Sequence, residues 1–213
     1  MRATIKRYLP FGGIAFVLLA LSVGAIADTD STNPRGAGVE QVTEIEPAAR
    51  EAMSVLQRGR VEADALSPYL AEKLGRQANF GMNPNLSRIS IGNATSSLYV
   101  IPARGHVCAA LTVGAGANVT CPPTADIANG RAAPATVVNE TRDVAIYGVV
   151  PDDVETVSVQ TGKTESTRVR TEHNGYYTVV PAGTPLRTVS YAGPSGSVEF
   201  PIYDPTLVME RDG

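Results

Sequence analysis

From Arg88 to Tyr203 apolar and polar residues alternate, and turn-forming residues interrupt the chain about every eight to twelve positions. A period of two puts successive side chains on opposite faces of a strand, so one face can enter a core while the other meets water. The pattern restricts this part of the chain to antiparallel sheets folded into a sandwich or a barrel. It predicts strands over Arg88 to Ile91, Ser97 to Pro102, Val107 to Val113, Ala135 to Asn139, Asp143 to Val150, Glu155 to Thr161, Ser166 to Thr171, Tyr176 to Val180, Leu186 to Tyr191 and Ser197 to Tyr203. Thr161-Gly162-Lys163, His173-Asn174-Gly175 and Gly193-Pro194-Ser195-Gly196 suit tight turns, because glycine and asparagine adopt positive φ at little cost. No helical period is evident in the second half. Val144, Ile146, Val157, Val159, Val169, Tyr177, Val179, Val189 and Phe200 are the candidate core, and with no Trp in the chain that core is aliphatic.

Residues 44–87 read differently. Glu44 and Glu46 suit the positive end of a helix, Pro47 suits its first turn, and Ile45, Ala49, Met53 and Leu56 recur at helical spacing up to Gly59. A second helix has Ser67 as N-cap, Pro68 next, Leu70 and Leu74 on one face, and Gly75 as its stop. Asn83-Pro84 repeats the cap and proline for one further turn. We expect a helical hairpin over 44–87 packed on a β-sandwich over 88–205, with a tail at 206–213.

The first 27 residues carry an address. Arg2, Lys6 and Arg7 precede an uncharged apolar run from Phe11 to Ile26, and Ala25-Ile26-Ala27 meets Asp28. That is the layout of a secretory signal, with Ala25 and Ala27 at the small-residue positions and Asp28 as the first mature residue. The alternative is an uncleaved N-terminal membrane anchor, at the low edge of the length that spans a bilayer. Either way the rest of the chain faces outward, which sets the localisation as extracellular or the outer face of the cytoplasmic membrane. The whole chain has 18 Lys and Arg against 21 Asp and Glu; the leader removes three cations and no acids, so the mature part is more acidic than the whole. Such a chain has no electrostatic reason to bind nucleic acid or an anionic bilayer. Residues 28–43 are polar, with no apolar period, and read as a flexible linker.

Tyr147-Gly148-Val149-Val150-Pro151-Asp152-Asp153-Val154, then Thr156-Val157-Ser158-Val159 and His173-Asn174-Gly175-Tyr176-Tyr177, resemble a recurring pattern of poorly characterised exported bacterial proteins. Val100 to Cys108, and Cys121-Pro122-Pro123-Thr124 after it, are similar to the same group. The resemblance spans roughly residues 50 to 205, with Asp153 where glycine is usual. It implies an immunoglobulin-like strand module and one disulfide, and it brings no established activity or catalytic residues. The expected fold is therefore mainly β: an immunoglobulin-like β-sandwich preceded by a short helical hairpin, α+β overall.

Few residues invite chemistry. Two cysteines in an exported chain read as a Cys108 to Cys121 bridge. The functional alternative is a thiolate paired with His106, two residues away on the same strand face, or a Cys2His metal site, but no second histidine or orienting carboxylate lies nearby in sequence. His173 falls at a turn tip. Ser195, in Gly193-Pro194-Ser195-Gly196-Ser197, lacks the closing glycine and the strand-to-helix corner of a nucleophile elbow. Glu140, Asp143, Asp152, Asp153 and Glu155 form an oxygen-rich loop set of the kind that binds calcium, and they are equally the acids that turns select. Asn85, Asn93, Asn118 and Asn139 begin Asn-x-Ser/Thr triplets, which matter only in a host that glycosylates them. We assign no catalytic, cofactor or metal residue. The expected function is a non-catalytic exported binding or structural module of the cell envelope, with an unidentified protein or envelope partner and membrane contact only through an uncleaved N-terminus. The alternatives are a secreted hydrolase whose site is dispersed in sequence and an anchored extracytoplasmic sensor.

Overall fold

Eleven antiparallel strands and three short α-helices organise residues 40–76, 80–93, 95–113, 116–203 and 205, the residues that this computed structural model describes. The leader with Ala25, Ala27 and Asp28, most of the 28–43 linker, Gly114-Ala115 and the tail at 206–213 lie outside the described residues. The fold is mainly β, and its sheets are antiparallel, as a β-sandwich requires.

The first sheet is a meander of β1 (Arg88–Gly92), β2 (Ser96–Ala103), β3 (His106–Val113) and β4 (Gly116–Thr120), paired in that order. The next seven strands are β5 (Ala135–Val138), β6 (Val144–Val149), β7 (Thr156–Thr161), β8 (Glu165–Arg170), β9 (Gly175–Val180), β10 (Leu186–Gly193) and β11 (Gly196–Pro201). They divide into a three-stranded sheet, β5-β6-β9, and a four-stranded one, β11-β10-β7-β8. Every strand that the alternation predicts is present to within two residues at each end. Strand β4 and a helix, α3 (Thr124–Ala128), are additions. The helix is five residues long, too short to show a period, which is why the second half looked free of helix.

The β5-β6-β9 sheet is the middle layer, and β6 shows why. Ala145, Tyr147 and Val149 join Leu98, Val100, Val107, Ala109 and Leu111 of the meander in one core. Val144 and Ile146 join Val157, Val159, Val189 and Tyr191 in the other. All six residues of β6 are buried, so it reads as a continuous apolar run, as a strand covered on both faces must. The same geometry corrects one core assignment in β9, Val179. Tyr176 and Val180 enter the second core, whereas Tyr177 turns to the first and Val179, at its margin, is 40% exposed. Gly148 lies directly across from Tyr176, and the ring occupies the space a side chain there would take: a Cβ on Gly148 would fall 2.7 Å from the Tyr176 hydroxyl.

The expected helical hairpin is also corrected. Helix α1 (Pro47–Ala52) places Ala49 and Ala52 in the first core, on the inner face of the meander. Helix α2 (Pro68–Arg76) places Leu74, with Leu70 and Ala71, in a third cluster on the outer face, against Ile101, Cys108 and Ala110. The Ser67 hydroxyl caps α2 by accepting from the Leu70 N–H at 3.3 Å. Helix α1 is shorter than its apolar period, because tertiary partners take the groups that would extend it. The Ser54 N–H donates to Asp152, and the Gln57 side chain occupies the Arg50 carbonyl that Ser54 would otherwise use. Met53 is consequently extended, and the chain resumes as a 3-10 turn over Ser54–Leu56.

Between the helices, Arg58 and Asp64 seal the free edge of β1. The guanidinium donates to both carboxylate oxygens at 2.7 and 2.6 Å, and the same carboxylate accepts the N–H groups of Val61 and Ile89, each at 2.7 Å. Arg58 also donates to the Ile89 carbonyl, so both backbone polar groups of this edge residue are satisfied by side chains. Asp64 is fully buried. Burial pushes its carboxyl up, but the bonds from Arg58, Val61 and Ile89 outweigh it and hold the group down at about 2. A depressed carboxyl pKa stabilises the fold above its unfolded value, and that contribution disappears as pH falls through the folded value. Stability should therefore drop between about pH 4 and pH 2 by about 2 kcal/mol from this site. Asp64→Asn should cost about 3 kcal/mol at pH 7 and flatten that acid limb in urea titrations; an unchanged acid limb would assign it to other carboxylates.

Candidate functional site

The turn Glu172-His173-Asn174-Gly175 is where the N-terminal segment, the meander and the seven-strand unit meet. His173 and Asn174 have φ of 44° and 66°, and Glu172 and Gly175 exchange backbone hydrogen bonds at 2.8 and 2.9 Å. That is a two-residue turn with both central residues in the left-handed region, for which asparagine is suited. The expected reversal is there, but the strands on either side then enter different sheets. The side chain of Asn174 is buried and uses its full hydrogen-bonding capacity. Its Oδ1 accepts from the Val55 N–H at 3.0 Å and the Ser54 hydroxyl at 3.3 Å; its Nδ2 donates to the Val150 carbonyl at 3.1 Å and to Asp152 at 2.8 Å. Ser90 of β1 donates to the Glu172 carbonyl at 2.6 Å, and His173 Nδ1 lies 3.2 Å from the Ser90 carbonyl.

Around this joint the β6–β7 loop, the β8–β9 turn and the β10–β11 turn gather at one end of the seven-strand unit, capped by α1 and α3. Gly130, just after α3, and Gly193, at the end of β10, approach so closely that a Cβ on either would lie 3.3 Å from the Cα of the other. The Tyr191 hydroxyl donates to the Ala132 carbonyl, and burial raises its pKa to about 12. A cleft of about 380 Å³ remains between the cap and the loops, with Glu51, Asp152 and Asp153 on its walls. Glu140 and Asp143 are far from these acids: β6 separates the two groups, and the Asp143 carboxylate accepts from Thr141 and the Ala182 N–H at the opposite end. Among the described residues no three His, Cys, Asp or Glu side chains stand close enough to share a metal ion.

At that opposite end lies a larger groove, about 650 Å³, between the β1–β2 turn of the meander and the β5–β6 turn. Val113, Tyr177 and Val179 supply its apolar part; Ser96, Asn139 and Glu140 are among its polar part. The Tyr177 and Ser96 hydroxyls are 3.4 Å apart.

Cys108 and Cys121 are disulfide-bonded. The β3–β4 register pairs Ala109 with Thr120, so the cysteines continue the ladder by one step. Closing this short loop stabilises the fold by about 3 kcal/mol on the chain-entropy account. It also removes the thiolate and Cys2His alternatives in the oxidised chain. His106 instead stacks on Phe80, with ring centroids 4.6 Å apart, and its Nδ1 meets the Arg104 carbonyl at 2.8 Å. Ser195 is exposed in a turn, and Asn85, Asn93 and Asn118 are exposed, Asn139 half-buried.

Sequence reasoning placed Asp152 in an oxygen-rich loop set and Asn174 in a tight turn, but gave neither the part of joining these segments, and it did not mark Arg58 or Asp64. Asn174 was detectable as an asparagine ahead of glycine in a turn; Asp64, between Ala63 and Ala65, offered no comparable sign. No protein-family model, curated protein or solved structure matches this chain. Among the described residues no helix is long and apolar enough to cross a membrane.

Asn174→Ala should destabilise the protein by about 2 to 3 kcal/mol, because it leaves the Val55 N–H and the Val150 carbonyl buried without partners. Gly175→Ala should be at least as damaging, since its methyl would fall 2.1 Å from Ser90 Oγ and 2.8 Å from Leu98 Cδ2. Urea denaturation reads both; a Gly175→Ala protein as stable as the parent would contradict the close packing of turn on meander.

Proposed function

We propose that this chain is an exported, non-catalytic binding or structural module of the cell envelope, built on an immunoglobulin-like sandwich. The strand order carries the reading. Lettered A to G, β5–β11 arrange as A-B-E facing G-F-C-D, with a shared core and sheet-to-sheet crossings after the second, fourth and fifth strands. Immunoglobulin-type sandwiches have this plan, here with the fourth strand beside the third and not the fifth. The resemblance to poorly characterised exported bacterial proteins points the same way, and Asp152 and Asn174, which lie in the resembling stretches of this chain, join the sandwich to its cap.

The disulfide supports a compartment outside the cytoplasm, on the outer face of the membrane or beyond, because thiol systems inside keep such pairs reduced. The acidic mature chain favours a protein or a neutral envelope component as partner over nucleic acid or anionic lipid. The groups held at strongly shifted pKa are structural: Asp64 seals a strand edge, and Tyr147, Tyr176 and Tyr191 are raised by burial in cores.

Mass spectrometry of the protein recovered from its own host, alkylated before and after reduction, tests the reading. The expected chain starts at Asp28, resists alkylation until reduced, and fractionates outside the cytoplasm. A chain retaining Met1 in the cytoplasmic fraction with two alkylated cysteines would overturn it. Retention of residues 1–27 in the membrane fraction, with the disulfide formed, would make it an anchored module.

A further inference from the structure

We infer that the groove between the β1–β2 and β5–β6 turns is a binding site for a neutral glycan bearing N-acetylated amino sugars, which gives the envelope-binding reading a ligand class and rests on it. The groove is about 650 Å³, inside the range of about 300–1,000 Å³ typical of small-molecule sites. Its two halves differ in chemistry. Val113, Tyr177 and Val179 form the apolar half, and Val179 is one of the few large apolar side chains left substantially exposed, at 40%. It has no packing reason to be there, since β9 already fills both cores with Tyr176, Val180 and Tyr177.

The other half offers hydrogen bonds from groups whose positions are already fixed. Asn139 Oδ1 holds the β5–β6 turn by accepting from the Asp143 N–H at 2.9 Å, with the hydroxyl of Thr141, which donates to the Asp143 carboxylate, 2.7 Å away. Its Nδ2 also donates to the Asp143 carboxylate and helps to hold it ionised, so one N–H remains to be used. Glu140 is exposed beside it as an acceptor, and Ser96 lies opposite with Tyr177 at 3.4 Å. A turn that locks an amide at both ends and leaves one N–H unused gives a preoriented donor, which lowers the ordering cost of binding.

The ligand must then have an apolar portion and several hydroxyl or amide groups, and it must not be anionic. Glu140 and the net negative charge of the mature chain both oppose anions. A hexopyranose meets the hydroxyl requirement and presents C–H groups to an aromatic side chain. An acetamido substituent adds a methyl for the Val113 and Val179 surface and an amide for Asn139 and Glu140. A sugar without it leaves that apolar surface wet.

Isothermal titration of the purified mature protein with penta-N-acetylchitopentaose, and with cellopentaose as the matched glycan lacking acetamido groups, tests this. The acetylated oligomer should bind at least about tenfold more tightly than cellopentaose. Val179→Asp and Glu140→Ala, both at the surface, should each weaken binding by about tenfold or more while the melting temperature stays within a few degrees. A variant that melts early is replaced by Val179→Thr or Glu140→Gln, with the same expectation. Equal affinity for both glycans, no binding up to millimolar concentration, or binding indifferent to both substitutions would each overturn the site. In all three cases a mature N-terminus at Asp28 and an intact disulfide would leave the export reading standing, so the two failures are distinguishable.

Discussion

The buried amide of Asn174 is the contact on which the assembly of this protein turns. It binds two groups from the segment after α1 and two from the β6–β7 loop, and no other residue type offers two donors and two acceptor positions in that volume. An aspartate there would set a carboxylate against the Val150 carbonyl and the Asp152 carboxylate, with no N–H to donate. The left-handed φ of 66° narrows the choice further, since asparagine accepts it more readily than the other polar side chains that fill a turn. Chemistry and backbone geometry thus select the same residue. Because that turn also presses Gly175 against Ser90 and Leu98, one short segment sets the positions of three others.

This joint has a consequence for the layers. Seven strands alone would form a sandwich with its β5-β6-β9 face open to water, and Ala145, Tyr147 and Val149 would be exposed on it. The meander covers that face, and its own outer face is covered in turn by α2 together with Leu66 and Met82. Each layer exposes an apolar surface that the next removes, until a helix with a polar outer side, carrying Glu72, Lys73 and Arg76, ends the series. The edges follow the same logic: β1 is closed by Arg58 and Asp64, while the edge strand β8 carries Glu165, Arg168 and Arg170, charges that discourage pairing with another chain.

Much of this was readable from the residues and some was not, for physical reasons. Strands were legible because alternation is imposed locally by the pleat, and turns because glycine and asparagine mark positive φ. The cap of α2 was legible because Ser67 and Pro68 act within one turn. The length of α1 was not, since its end is set by Asp152, 98 residues away. Val179 was misassigned because alternation tells two faces apart without telling how far along a strand each is covered. The fully apolar β6 was the available sign of a third layer, and it reads the same in a strand that is merely well buried. Arg58 and Asp64 are polar residues in a helical stretch, and only the arrival of β1 gives them a common target.

The two concave regions differ in a way that bears on which is free to act. At the capped end the polar groups nearest the joint are occupied: Asp152 accepts from Ser54 and Asn174, and Asn174 has no capacity left. A ligand entering there would compete with the contacts that hold the cap on. At the opposite end the turn uses Asn139 Oδ1 and one Nδ2 N–H and leaves the other, and of the apolar side chains lining the groove Val179 stands outside both cores while Val113 and Tyr177 pack on the first. Stability therefore constrains the first region more tightly than the second. A sandwich capped over one set of loops has only its other end and its flanks for recognition, and the groove beside Tyr177 is where spare hydrogen-bonding capacity and spare apolar surface coincide.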